Sequence, residues 1–244
     1  MNYLIYIMWA IISFADVTAV VLWIKHKNNL LLPFGIMSSA MFAVQIFATK
    51  ISNWGFGIIA PAAIILYVDM LIITDIVNEK YGRKTALNMA LLSFIPAIIM
   101  LVFGIITTLF TQPSFAYLSS YNSIFSLGVR IGIASFIAFF VDYLFDTYVY
   151  DKIKHTFEGK HLWARYLGAE LPVLAIDSII FITIAFYGVM PVMSLYSLMK
   201  NQMIIKYLLG IPALGLMYYG RWLLYRKTTT KNGRNVSSPK FSIL

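Results

Sequence analysis

The chain has 244 residues, of which 60% are hydrophobic and 12% are charged, and its formal net charge is +9. A soluble domain of this length cannot bury that much apolar surface, so the composition predicts an integral membrane protein. The absence of cysteine excludes disulfides and thiolate metal sites, and the three histidines show no metal-binding spacing. We therefore expect neither a metal nor a cofactor.

Seven apolar segments follow one another without a gap long enough for a soluble domain. Each approaches or exceeds the roughly 20 residues that a helix needs to cross a hydrocarbon core of about 30 Å. The predicted fold is all-α, a polytopic membrane helical bundle with a six-helix transporter core and an extra helix. We expect one transmembrane domain over residues 1–226 and a disordered basic tail over residues 227–244. The segments are 3–24, 30–49, 56–77, 85–110, 124–150, 163–190 and 193–223.

The basic residues lie in alternate loops and in the tail, a pattern that sets membrane orientation and does not indicate nucleic-acid binding. One set of loops carries only Lys50, and the other set carries most of the positive charge. The positive-inside rule then predicts a multi-pass protein of the cell membrane, with its N-terminus outside and its C-terminus in the cytoplasm. The residues of the basic set are Lys25, Lys27, Lys80, Arg83, Lys84, Lys152, Lys154, Lys160, Arg221, Arg226, Lys227, Lys231, Arg234 and Lys240.

The third segment ends in a polar stripe, because helical spacing places Asp75, Asn78 and Glu79 on one face. Carboxylates at the end of an apolar helix are costly and often functional. Negative charge at a helix C-terminus also opposes the helix dipole, which argues against simple capping. Capping at the water boundary nevertheless stays open as the alternative.

Three later segments also carry polar side chains at helical spacing. Lipid cannot solvate such stripes, so they are expected to face the bundle interior and to line a solute pathway or a binding cavity. The alternative is that Lys206 neutralises one of the aspartates and that the stripes only fasten helices together. The pairs are Asp142 with Asp146, Glu170 with Asp177, and Gln202 with Lys206.

Enzyme classes are less favoured, and we predict that the chain is not an enzyme. It has neither a GxSxG motif nor a P-loop. Asp142 and Asp146 have the DxxxD spacing of intramembrane prenyltransferases, which keeps an intramembrane transferase as an alternative, although the chain offers only a poor second motif. Lys206 could serve as a Schiff-base lysine in a seven-helix pigment, but nothing else in the chain matches that class.

The stretch TDIVNEKYGRKTA, at 74–86, resembles the signature of the queuosine precursor transporters, also called the vitamin uptake transporter family. FVDYLFDTYVYDKIK, at 140–154, is similar to the aspartate helix and basic loop of that family. The resemblance extends from about residue 45 onward, but Gln45 stands where the family usually has Asn and Asp69 adds a mid-membrane carboxylate. Further matching positions are Trp163, Arg165, Asp177, Gln202, Lys206 and Pro212.

This resemblance implies import of 7-deazapurines such as preQ0, preQ1 or queuine for tRNA modification. It also implies that no ATPase subunit is needed, while a homodimer stays open. The alternative is the substrate-capturing membrane subunit of an ATP-driven vitamin uptake complex.

The expected roles follow from the chemistry of a 7-deazaguanine, which offers N–H donors, a carbonyl and a flat face. Asp177 and Lys206 are expected to form a charge pair that couples transport to a proton. Aromatic stacking is assigned to Trp54, Phe56 or Tyr67, which lie near the third segment. Substrate binding or gating is assigned to Asp75, Asn78, Glu79, Gln45, Asp142, Asp146 and Gln202.

Overall fold

The computed structural model describes residues 3–110, 118–157 and 171–226, which contain seven helices and one β-hairpin. The elements in chain order are α1 (Tyr3–Lys27), α2 (Leu31–Phe47), β1 (Ile51–Gly55), β2 (Ile58–Pro61), α3 (Ile64–Tyr81), α4 (Arg83–Thr108), α5 (Leu118–Phe157), α6 (Leu171–Phe186) and α7 (Val192–Tyr225). The predicted all-α membrane bundle is confirmed. The predicted tail, 227–244, lies outside the described residues.

Four of these helices are long and apolar enough to cross a membrane: Leu4–Lys27, Arg83–Thr108, Ser120–Asp142 and Val192–Tyr225. Helices α2 and α6 are apolar but shorter, with 17 and 16 residues. Helix α3 has 18 residues and includes two aspartates, a glutamate and a lysine. Because α3 packs against α1, α2, α4 and α7, Asp69 near its middle is buried, while Asp75, Glu79 and Lys80 are partly exposed.

The prediction that the third helix begins near residue 56 is wrong. Residues 51–61 instead form an antiparallel hairpin in which Ile51 lies opposite Pro61, and α3 begins at Ile64. The turn requires positive φ at Gly55 (90°), Phe56 (51°) and Gly57 (76°). Glycine adopts this conformation without steric cost, so the Gly-x-Gly sequence favours a turn over a helix start.

Hydrogen bonds connect the helices at both ends of the bundle. At the end that carries Lys25 and Arg83, which we name the basic end, Lys25 Nζ donates to the Leu223 and Arg226 carbonyls at the C-terminus of α7. At the opposite, hairpin end, Arg130 of α5 donates to the carbonyls of Ile184, in the last turn of α6, and of Tyr187, directly after it. Each cation lies where the helix dipole and the unpaired carbonyls favour positive charge.

The outer faces of α1 and α4 are covered by large apolar side chains that are exposed in the isolated chain. Such continuous apolar surface fits contact with lipid, and the chain is a multi-pass membrane protein. The exposed residues include Leu4, Ile5, Ile7, Met8, Ile11 and Ile12 on α1, and Leu92, Ile95, Ile98, Ile99, Met100, Val102, Phe103 and Ile106 on α4.

Helices α1, α3 and α7 pack tightly around Gly220, and we expect Gly220→Leu to destabilise the bundle. A Cβ atom there would lie 3.0 Å from Ile76 Cδ1 and 3.3 Å from Val17 Cγ1. Overpacking of this kind costs about 1–3 kcal/mol. Thermal unfolding of the detergent-purified protein measures the loss. Gly215→Leu, on the same helix with open space around its Cβ position, is the control, and equal unfolding temperatures for the two variants would contradict the packing argument.

Candidate functional site

A cavity opens near the middle of the bundle, between α2, α3, α4, α5, α6 and α7, and Pro61 of the hairpin also lines it. Its volume is about 70 Å³. Small-molecule sites typically occupy about 300–1,000 Å³, so a compact organic solute would fit only after the surrounding helices move apart. The polar lining residues are Tyr67, Ser135, Asp142, Asp177, Gln202 and Lys206.

Lys206 and Asp177 form the electrostatic centre of this cavity. Lys206 Nζ donates to Asp177 Oδ2 across the α6–α7 contact, and the two side chains are only 3% and 7% exposed. The same ammonium group lies 3.9 Å from the centroid of the Tyr67 ring. The carboxylate and the electron-rich ring therefore hold the buried cation from two sides.

Gln202 lies one turn before Lys206 on α7 and also lines the cavity. The residue is 2% exposed, and its Oε1 atom has no hydrogen-bond partner within the described residues. A buried carbonyl without a donor is costly, so this atom is an acceptor available to a solute that carries an N–H group.

The apolar wall of the cavity includes Phe94, Phe139 and Phe181, which the sequence analysis did not identify. The rings of Phe94 and Phe139 pack together with their centroids 5.3 Å apart. No signal in the sequence separates these residues from lipid-facing phenylalanines, because both kinds lie on apolar helices. The surface they form is suited to a flat, apolar molecular face.

A second, smaller cavity lies toward the basic end, between α3, α6 and α7. Asp75 lines it, and Lys206 lines both cavities. Lys206 thus borders both the central space and the space beside Asp75.

Glu79 lies further toward the basic end, where it bonds to α7 and not to the central cavity. Its Oε1 is 3.1 Å from Arg221 Nε, and the Tyr225 hydroxyl donates to its backbone carbonyl over 3.2 Å. The backbone carbonyl of Asn78 accepts the Gly82 N–H at the end of α3. Asp75 and Glu79, although on one helical face, therefore contact different layers of the bundle.

The other predicted residues do not line the central cavity. Gln45 is buried, and a Cβ added at Gly132 of α5 would lie 3.6 Å from its Oε1. Trp54 is buried in the hairpin, where its Nε1 donates to Ala60 O over 3.1 Å. Phe56 is 88% exposed at the hairpin turn. Of the three aromatic residues considered for stacking, only Tyr67 lines the cavity.

Two predicted carboxylates, Glu170 and the side chain of Asp146, lie outside the described part of the structure. Among the described residues, no group of three or more histidine, aspartate or glutamate side chains is arranged to hold a metal ion.

The family described as "Putative vitamin uptake transporter" matches residues 61–220, which include α3 to α6, most of α7 and most of the site. A protein of Bacillus subtilis (strain 168) named "Probable queuosine precursor transporter" is 27% identical over 172 residues, which cover 69% of this chain and 75% of that protein. No solved structure matches the chain. The membrane bundle and its buried polar cavity are consistent with this family match. The chain belongs to the vitamin uptake transporter family.

Proposed function

We propose that this membrane transporter imports queuosine precursors, 7-deazapurines such as preQ0 and preQ1, through the central cavity. The observation that carries the proposal is the buried Lys206, held between Asp177 and the Tyr67 ring beside the unpaired Oε1 of Gln202. The name of the Bacillus subtilis relative supports this substrate class, and the cavity supplies the chemistry that such a base requires.

The edges and the face of a 7-deazaguanine complement this lining. Its N–H groups can donate hydrogen bonds to Gln202 Oε1 and to the Asp142 carboxylate. Its carbonyl can accept a hydrogen bond from the Lys206 ammonium group. Tyr67 and the phenylalanine wall offer stacking surfaces for the ring. The aminomethyl group of preQ1 would add a cation that a further carboxylate favours.

The Lys206–Asp177 pair is the proposed gate between the two cavities. When a substrate carbonyl competes for Lys206, or when a proton neutralises Asp177, the ammonium group can leave its partner and open the route toward Asp75. Breaking a buried ion pair without compensation is unfavourable. Substrate binding and protonation of Asp177 would therefore each make the other more favourable. In the proposed orientation the hairpin end faces outside and the basic end faces the cytoplasm.

Uptake of labelled preQ0 and preQ1 into cells that cannot make queuosine tests the proposal directly. We expect uptake that depends on the protein and that falls at least about tenfold in Asp75→Asn, because a charge-assisted hydrogen bond contributes about 1.5–3 kcal/mol. Immunodetection in membranes controls for expression, and cells with an empty vector give the background.

The possible results separate two questions. Absence of uptake of any 7-deazapurine by well-expressed protein would reject the substrate class. Full uptake by Asp75→Asn would keep the function and return this aspartate to a capping role at the end of α3.

We also propose that transport needs no ATPase subunit. Uptake by the purified chain alone in liposomes without ATP would support this, whereas stable copurification with ATPase subunits would favour the ATP-driven complex.

A further inference from the structure

A second polar group lies between α1 and α3, on the side of α3 that faces away from the central cavity. Asp69 is 8% exposed, and its Oδ1 accepts a hydrogen bond of 2.5 Å from Ser13 Oγ. Tyr67, two positions earlier, faces Lys206, and two helical positions differ by roughly 200° around the axis. Tyr67, which lines the central cavity, and Asp69 therefore occupy different faces of α3.

The charged groups nearest to Asp69 do not neutralise it. Another carboxylate, Asp16 of α1, is near enough to act on Asp69 by repulsion. Helix α2 has no charged residue. On α4 the basic residues are Arg83 and Lys84 in its first turn, about 20 Å along α3 from Asp69 at 1.5 Å per residue.

The remaining cations on the helices that pack against α3 are paired with other groups, exposed, or at the basic end of the bundle. On α7, Lys206 pairs with Asp177, Arg221 pairs with Glu79, and Lys200 is exposed. On α1, Lys25 bonds to the C-terminus of α7, and His26 and Lys27 lie at the same end of the helix. Among the described residues Asp69 has no ion-pair partner, and a buried carboxylate in this situation requires a bound cation or proton.

Trp9 lies at the same place. It is 7% exposed and lies one turn before Ser13 on α1, near enough to the Asp69 carboxyl to interact with it. Its Nε1–H has no hydrogen-bond partner at normal geometry among the described residues. The site thus contains a buried donor in reserve, which can bond to the carboxylate after a proton leaves.

We propose that Asp69 is a proton-binding site, formed with Ser13 and Trp9, that loads the coupling proton of this transporter. In the loaded state the carboxyl group carries the proton. In the unloaded state the anion accepts bonds from Ser13 Oγ–H and Trp9 Nε1–H, and the proton has passed to water. The inference rests on the proposed function, since it assigns the co-transported ion to a transport cycle for 7-deazapurines.

The position of Asp69 explains how a proton can influence the substrate cavity. Helix α3 contacts α1 through Asp69 and forms part of the central cavity through Tyr67 and Met70. A change of charge at Asp69 alters the α1–α3 contact, and α1 also contacts α7, which bears Gln202 and Lys206. The proton can therefore be loaded before the Lys206–Asp177 pair opens.

Purified protein in liposomes that contain a pH-sensitive dye allows the test, with labelled preQ0 as the probe. The wild type should accumulate preQ0 under an inward proton gradient, and preQ0 addition should drive proton entry. Asp69→Asn, which imitates the neutral state, should lose at least about tenfold in accumulation and all substrate-driven proton entry. It should still exchange external labelled preQ0 for internal unlabelled preQ0. Asp16→Asn removes the neighbouring negative charge but leaves the Asp69 carboxyl in place, so it should keep substrate-driven proton entry and shift its pH dependence to lower pH.

Each result has a definite meaning. Absence of preQ0 exchange in the wild type would reject the proposed function itself. Wild-type exchange without proton entry, or full proton entry by Asp69→Asn, would reject only the proton site. Infrared difference spectra of wild type and Asp69→Asn give a second test of the proton site that does not depend on transport. A protonated-carboxyl band that is missing in the variant supports the site, and identical spectra reject it.

Discussion

Lys206→Met is expected to abolish uptake and to lower the stability of the bundle. The substitution keeps most of the apolar stem but removes the cation from a pair whose side chains are 3% and 7% exposed. Asp177 is then a buried charge without its partner, which costs about 3–5 kcal/mol. The Tyr67 ring also loses the ammonium group that lies 3.9 Å from its centroid. Labelled preQ0 uptake and thermal unfolding in detergent measure the two losses.

Two further variants separate charge pairing from transport. Lys200→Met removes an exposed lysine from the same helix and should change neither uptake nor unfolding temperature. The double variant Asp177→Asn/Lys206→Met removes both charges, so it should recover most of the lost stability but no uptake. Recovery of uptake by the double variant would show that the pair only fastens α6 to α7, the alternative that the sequence left open.

The helices of the bundle could be predicted because each apolar segment is long and the polar loops between them are short. The start of α3 could not, since hydropathy reads the residues of β2 as part of an apolar helix. The hairpin depends on positive φ at three successive residues, one of which is Phe56. A phenylalanine in that conformation is uncommon, so no residue preference indicates it.

The candidate site could be predicted in its polar part and not in its apolar part. Asp142, Asp177, Gln202 and Lys206 meet in one cavity because lipid cannot solvate them and each must face the interior. A phenylalanine side chain is equally stable against lipid and against an apolar cavity wall. The sequence therefore does not distinguish the phenylalanines that line the cavity from those that face lipid. The stacking assignment to Trp54 and Phe56 relied on their nearness in sequence to the third segment. The hairpin places both side chains away from the cavity.

Helix α3 is the element through which the proposed proton site would act on the proposed substrate site. It packs against α1, α2, α4 and α7, and its polar residues contact different neighbours at successive depths. Asp69 meets α1, Tyr67 meets the Lys206 ammonium group, and Glu79 meets Arg221 near the basic end. A small shift of this helix would change the contacts of all three, which is the coupling that a gated transporter requires.

Gln202→Met is expected to weaken substrate binding while it stabilises the protein. The Oε1 atom of Gln202 is buried without a partner among the described residues, so replacing the amide by an apolar group of similar size removes a desolvation cost of about 1–3 kcal/mol. If that atom accepts an N–H of the 7-deazapurine, its loss should raise the KM for preQ0 by about 10- to 100-fold, because each 1.4 kcal/mol is tenfold. Concentration-dependent uptake and thermal unfolding measure the two effects.

Gln45→Met is the matched control, because it removes another buried amide oxygen that has no partner among the described residues but does not line the central cavity. It should raise the unfolding temperature similarly and leave the KM for preQ0 unchanged. An equal rise in KM for both variants would extend substrate contact to Gln45, as the sequence suggested. An unchanged KM together with a lower unfolding temperature in Gln202→Met would show that the amide serves the packing of α7, and the acceptor for the substrate would have to be sought at Asp142.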